Sequence, residues 1–221
     1  YKNIPVELSG KLRASYYFMS SLLAKYKHVE MHFPGGCSIG SRPIDQTLKV
    51  YKALGASVKE EEDLFTIDAE ELIGNHIELD MPSVGATVNA IIVASVAKGQ
   101  TVISNAAKEP EIIDLSSMLN KMGAIIRGAG TSEITIVGVN RLKGCIHDII
   151  PDRIEAGTYI IAAAAVGENV KVNNVIPQHI EALTSKLEDM GVDLEIGIDY
   201  VKVNSANNLK PVDIITQPFP G

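Results

Sequence analysis

An α/β fold built from one supersecondary unit used three times is predicted by three features of this 221-residue chain. Gly55, Gly123 and Gly191 fall at equal intervals of 68 residues, each just past a periodic apolar stretch. Gly99 and Gly167, and Val102 and Val170, keep the same interval. Helix-period segments alternate with short β-branched runs, which implies helices packed on sheets. A fixed long interval outside a solenoid is the mark of a duplicated unit.

Each unit reads in one order. A small-residue-rich helix comes first, at 14–25, 84–98 and 155–166. A short strand follows, at 28–33, 101–104 and 169–172. An amphipathic helix then ends at the repeated glycine, where a left-handed C-cap suits a residue without Cβ. Two short strands close the unit, as at 124–127 with 133–137 and at 193–196 with 200–203. A β-rich stretch leads onward at 77–80 and 145–149, with Cys145 expected in the core. The Ala162–Ala165 run is expected to be buried against a neighbour.

The first unit breaks the pattern once. Val29 to Gly55 is 26 residues, whereas Val102 to Gly123 and Val170 to Gly191 are 21 each. The surplus falls in Pro34-Gly35-Gly36-Cys37-Ser38-Ile39-Gly40-Ser41-Arg42-Pro43, a glycine-rich loop. Loops lengthened on a repeated scaffold are where function tends to sit.

Composition narrows the rest. Hydrophobic residues make up 46% and charged residues 21%, ordinary for a globular chain. A net charge of -7 argues against nucleic acid or an anionic membrane as partner. Two cysteines are not a disulfide framework and suit a reducing compartment. No apolar run reaches the roughly 18 residues of a membrane span. Both termini read as interior positions of a longer chain. The five histidines show no clustered ligand spacing, and no metal or cofactor is expected.

The loop carries the chemistry. Cys37 lies five residues before Arg42 and close to a helix start, and both features stabilise thiolate. It is equally readable as a small apolar side chain under a loop. Arg42-Pro43-Ile44-Asp45 reads as a helix start with Pro43 in its first turn, where Arg42 could hold a phosphate or merely pair with Asp45. Arg13 precedes the first helix as a second anion ligand or a solvated charge. Ser83-Val84-Gly85-Ala86-Thr87 opens the second unit, with Ser83 as cap and Gly85 either admitting a ligand or allowing close packing. Glu109-Pro110-Glu111 and Asp152-Arg153-Ile154-Glu155 read as plain helix starts.

The run Pro34–Asp45 resembles the catalytic loop of the UDP-N-acetylglucosamine enolpyruvyl transferases. Leu12-Arg13-Ala14-Ser15, Ser83–Thr87, Asn105–Glu111 and Pro151–Glu155 are similar to the same family in the same order. The resemblance covers essentially the whole chain.

It implies a fold of two domains, each an inside-out α/β barrel of three βαβαββ units. Residues 1–151 would hold two units of the Cys-loop domain, and 152–221 the first unit of the other. It implies transfer of the enolpyruvyl group of phosphoenolpyruvate to the 3-hydroxyl of UDP-N-acetylglucosamine, with release of phosphate, in the cytoplasm. Cys37 would protonate the enol carbon and be the thiol that fosfomycin alkylates. Arg13, Arg42, Pro43, Ile44, Asp45, Gln46, Pro82, Ser83, Val84 and Gly85 would hold the substrates. The family's Lys-Asn pair and catalytic Asp match no position of this sequence, so the rest of the protein is needed for a complete site and this chain alone is expected to be inactive. Three rivals remain: the shikimate-pathway enolpyruvyl transferase, which needs no loop cysteine, a nucleotide-sugar sensor without turnover, and a redox thiol protein.

Overall fold

The structure, a computed structural model, describes residues 4–36, 43–206 and 209–220. The chain divides into two compact units, Tyr1–His147 and Asp148–Gly221.

The first unit opens with a short helix α1 (Val6–Ser9), a 3₁₀ turn (Arg13–Tyr16) and α2 (Tyr17–Tyr26). Then come β1 (His28–His32), α3 (Asp45–Ala53), β2 (Ser57–Glu61) and β3 (Leu64–Asp68). The pattern restarts with β4 (His76–Glu78), α4 (Val84–Ala94), β5 (Gln100–Ser104), α5 (Pro110–Lys121), β6 (Ile125–Arg127) and β7 (Glu133–Val137). The second unit holds α6 (Arg153–Val166), β8 (Val170–Asn173), a 3₁₀ turn (Pro177–Ile180), α7 (Glu181–Asp189), β9 (Asp193–Ile196) and β10 (Tyr200–Ser205).

The sheets repeat as the sequence does. Their strand orders are β1-β3-β2, β4-β5-β7-β6 and β8-β10-β9. In each, the last strand of the unit lies between the other two and pairs antiparallel with both. β4 adds a parallel strand beside β5, completing one βαβαββ unit.

The 68-residue glycines do the same work three times. Gly55, Gly123 and Gly191 have φ of 95°, 101° and 95°. Their N–H groups bond Lys52, Asn120 and Glu188, and the next residues bond Tyr51, Leu119 and Leu187. This is the Schellman cap, which satisfies the orphan carbonyls of the helix end.

The core of the first unit is helical at its centre. α4 buries Ala86, Thr87, Asn89, Ala90, Ile91, Val93 and Ala94 among α2, α3 and the inner sheet faces. Full burial of one Ile such as Ile91 contributes roughly 1.5–3 kcal/mol. The polar atoms here are paired: Tyr51 and Ser20 share a hydroxyl bond of 2.9 Å, Ser20 donates to the Asn89 carbonyl at 2.9 Å, and Tyr51 donates to Asn89 Oδ1 at 3.2 Å. Burial holds the Tyr51 phenol well above its ordinary pKa.

Three expectations need correction. Residues 145–149 form no strand, and Cys145 is exposed. A strand needs a ladder partner. This segment is instead tied to α5 and the residue after it: Lys143 N–H donates to the Met122 carbonyl at 2.8 Å, Cys145 Sγ approaches the Met118 carbonyl at 3.8 Å, and His147 Nε2 bonds Asp114 at 2.9 Å. In the Ala162–Ala165 run only Ala163 and Ala164 are buried, because consecutive residues on a helix point in different directions. Pro43 lies ahead of the α3 N-cap, Ile44, rather than in the first turn.

Candidate functional site

Three helix starts converge on one cleft of ≈ 520 Å³ in the first unit. One wall is the 3₁₀ turn leading into α2, with Arg13, Tyr16 and Tyr17. A second is the entry to α3, Pro43 to Thr47. The third is the entry to α4, Met81 to Gly85. A helix start presents N–H groups and the positive end of its dipole, so the cleft suits an anionic ligand.

Arg13 supplies a full positive charge. Its Nη1 donates to the Pro34 carbonyl at 3.4 Å, and its guanidinium lies 5.2 Å from the Tyr16 ring centre and 5.7 Å from that of Phe33. Those contacts fix the group at the base of the glycine-rich loop, where Gly35 N–H donates to Ser9 O at 3.0 Å. A planar cation held over rings is placed to meet carboxylate or phosphate oxygens.

At α3, Ile44 and Gln46 are buried while Pro43 and Asp45 face solvent. Gln46 Nε2 donates to Asp45 Oδ2 at 2.8 Å and to Asp80 Oδ2 at 2.9 Å. Its Oε1 accepts the Asp80 N–H at 2.9 Å. Lys49 donates to the other Asp80 oxygen. The Lys49 and Gln46 hydrogen bonds hold the Asp80 carboxyl below the usual carboxylate range.

At α4, Ser83 Oγ accepts the Ala86 N–H at 3.3 Å, the cap read from the sequence. Gly85 meets Tyr16: a Cβ there would sit 1.4 Å from the phenol oxygen. Close packing between two cleft walls therefore accounts for the glycine.

Arg13, Pro43, Ile44, Asp45, Gln46, Pro82, Ser83, Val84 and Gly85 all line this cleft. Cys37 and Arg42 lie outside the described residues. Ala14, Tyr16, Tyr17, Thr47 and Met81 also line it and were not singled out from sequence. Tyr16 and Tyr17 stand at i+3 and i+4 from Arg13, a helical spacing that could have placed them on the same face. Among the described residues no group of three His, Cys, Asp or Glu side chains is arranged to hold a metal ion. None of the helices, searched over the described residues, is long and apolar enough to cross a membrane.

Comparison with known proteins gives the following. The family described as EPSP synthase (3-phosphoshikimate 1-carboxyvinyltransferase) matches residues 3–221. A UDP-N-acetylglucosamine 1-carboxyvinyltransferase 2 of Geobacillus kaustophilus is 56% identical over 211 residues, 96% of this chain and 49% of the relative. The UDP-N-acetylglucosamine 1-carboxyvinyltransferase of Clostridium botulinum is 51% identical over 96% of this chain and 51% of its own length. The chain thus spans about half the length of the curated relatives it matches. Among solved structures, the enolpyruvyl transferase NikO from Streptomyces tendae superposes with a TM-score of 0.78 at 21% identity, over 94% of this chain and 50% of that one. An EPSP synthase from Acinetobacter baumannii gives 0.64 at 23% identity, over 91% and 48%. At these identities the two structures speak for the fold, that of the enolpyruvyl transferases.

Proposed function

The chain belongs to the EPSP synthase family, and from that premise we propose that its protein transfers the enolpyruvyl group of phosphoenolpyruvate to the 3-hydroxyl of UDP-N-acetylglucosamine, releasing phosphate. One observation carries the reading. The cleft gathers Arg13, the start of α3 and the start of α4, three segments distant in sequence, around a volume suited to anions. Relatives at 50–56% identity are UDP-N-acetylglucosamine 1-carboxyvinyltransferases, which favours the nucleotide sugar over a shikimate as acceptor.

In this reading Cys37 donates a proton to the methylene carbon of phosphoenolpyruvate. The sugar hydroxyl, giving up its own proton to a base that the rest of the protein supplies, adds to the neighbouring carbon to form a tetrahedral adduct. The new methyl group then returns a proton to the Cys37 thiolate, and the C–O bond to phosphate breaks as the double bond re-forms. Arg13 and Arg42 stabilise the anionic substrate and the departing phosphate, which carry more charge than water-filled space alone would hold in place. Pro43 to Gln46 and Pro82 to Gly85 form the nucleotide-sugar walls. Residues 1–151 belong to one domain and 152–221 begin another, a division supported by the two compact units. The protein acts in the cytoplasm on small molecules. The chain alone has about half the length of its relatives, and no turnover is expected from it.

The test is phosphate release from phosphoenolpyruvate and UDP-N-acetylglucosamine by the full-length protein, beside Cys37→Ala. Turnover that collapses at least about 100-fold in the variant is expected for a positioned proton donor. A folded full-length protein that binds the nucleotide sugar and releases no phosphate would instead be a sensor.

A further inference from the structure

We propose that Asp80 is a positioning residue that keeps Lys49 away from Asp45, leaving the Asp45 carboxylate to accept a hydrogen bond from the nucleotide sugar. The proposal rests on the cleft being the nucleotide-sugar site. Asp80 itself is not part of the cleft lining, whereas Asp45 and Gln46 are.

The geometry runs as a chain of bonds. Asp45 and Lys49 are four residues apart on α3, the spacing at which a carboxylate and an ammonium on one helix meet. They do not pair: Lys49 donates to Asp80 Oδ1. Gln46 bridges the two carboxylates, with one amide proton on Asp45 Oδ2 and the other on Asp80 Oδ2. Both of its donors are thereby committed, and its carbonyl takes the Asp80 N–H. The Gln46 amide therefore offers a ligand no proton. Its role at the wall is to hold the carboxylate of Asp45, itself a residue of the cleft lining.

Loss of the Asp80 side chain has two consequences. Gln46 loses one of its acceptors, and Lys49 is released to pair with Asp45 at its helical spacing. A carboxylate engaged by a neighbouring ammonium is a poorer acceptor for an incoming N–H or hydroxyl, and the ligand must compete for it. The carboxyl of Asp80 is stabilised as the anion by Lys49 and Gln46, so it remains ionised through the neutral range where the enzyme is assayed.

The experiment uses the full-length protein, with initial rates and direct calorimetric titration of UDP-N-acetylglucosamine. Asp80→Ala is expected to raise KM and Kd for the nucleotide sugar about tenfold, the scale of one hydrogen bond to a charged group. KM for phosphoenolpyruvate and kcat should stay within about twofold. Lys49→Met alone should bind within about twofold of wild type, since Asp80 and Gln46 still hold Asp45. The double variant Asp80→Ala/Lys49→Met should recover to within about threefold, because the competitor is gone. A structural role for Asp80 predicts no such rescue. A double variant as impaired as Asp80→Ala, or parallel losses in kcat and both KM values, overturns the proposal. Should Asp80→Ala not fold, Asp80→Asn with and without Lys49→Met makes the same comparison, since the neutral amide no longer holds Lys49 as an ion pair. Wild-type protein that binds no UDP-N-acetylglucosamine overturns the function proposed above. Normal wild-type binding with Asp80→Ala unchanged overturns this inference alone.

Discussion

Replacing Gly85 with alanine sets helix propensity against packing, and packing should win. Inside a helix the change gains up to about 1 kcal/mol. Here the new methyl would lie 1.4 Å from the Tyr16 hydroxyl oxygen and 2.7 Å from its Cζ. Tyr16 is 6% exposed and its ring stacks 4.6 Å from that of Tyr17, so the phenol must move as a rigid plate. Overpacking of this kind costs about 1–3 kcal/mol. A net loss of about 1–2 kcal/mol is expected, read as a lower urea midpoint at unchanged slope by circular dichroism. The paired control is Gly157→Ala in α6, where the new methyl would meet only the end of the Leu183 side chain, at 3.0 Å. That side chain can give way, so Gly157→Ala should be neutral or stabilising by up to about 1 kcal/mol. Adding Tyr16→Phe to Gly85→Ala removes the nearer clash and should recover at least about 0.5 kcal/mol beyond additivity. Gly85→Ala as stable as wild type would refute the reasoning.

Tyr51→Phe should cost about 1–2 kcal/mol at neutral pH by removing the hydroxyl that donates to Asn89 Oδ1 and one of the two bonds of Ser20. Tyr51 also gives a sign for alkaline pH. Its folded pKa is raised by burial, so the unfolded phenol ionises first. Stability is full below about pH 10 and falls above it by up to about 1.4 kcal/mol per pH unit, a slope that Tyr51→Phe should lessen in pH-dependent urea titrations. Asp152 accepts the N–H groups of Ile154 and Glu155 at 2.8 and 3.1 Å. Asp152→Ala should lower stability by about 1 kcal/mol and Asp152→Asn by much less, since Asn caps comparably; equal losses in thermal unfolding would count against the cap.

The repeat was legible because its signal is local. A glycine at a left-handed cap is demanded by backbone sterics whatever the tertiary surroundings, so Gly55, Gly123 and Gly191 carried their geometry in the sequence. The strand at Cys145 was misread because apolar alternation reports a pattern and not a partner; the segment is claimed by α5 instead. The site was legible in pieces. Arg13, the α3 entry and Ser83 each read as a helix start, and each had a bland alternative. Their convergence depends on packing between segments some thirty to forty residues apart, which no local window contains. Tyr16 and Tyr17 went unremarked for the same reason, since their use as a wall depends on Gly85 arriving opposite. Asp80 read as a strand end, and only the paired atoms of Gln46 and Lys49 give it another role.

The two copies of the repeat in the first unit show why this cleft doubles as framework. Gln46 stands nine residues before Gly55, and Asp114 nine before Gly123. From that shared helix position Gln46 reaches Asp80, 34 residues on, and Asp114 reaches His147, 33 residues on. In both copies the amphipathic helix straps down the chain where it leaves for the next repeat. In the second copy the strap is a His–Asp pair, with Lys121 Nζ 3.2 Å from the other ring nitrogen. In the first, the strapped residue stands three before Ser83, so the strap sets where the start of α4 meets the start of α3. A bond at a repeated position of the architecture thereby fixes the spacing between two walls of the cleft. It also explains how Gln46 can line a ligand site while spending its whole amide on the protein.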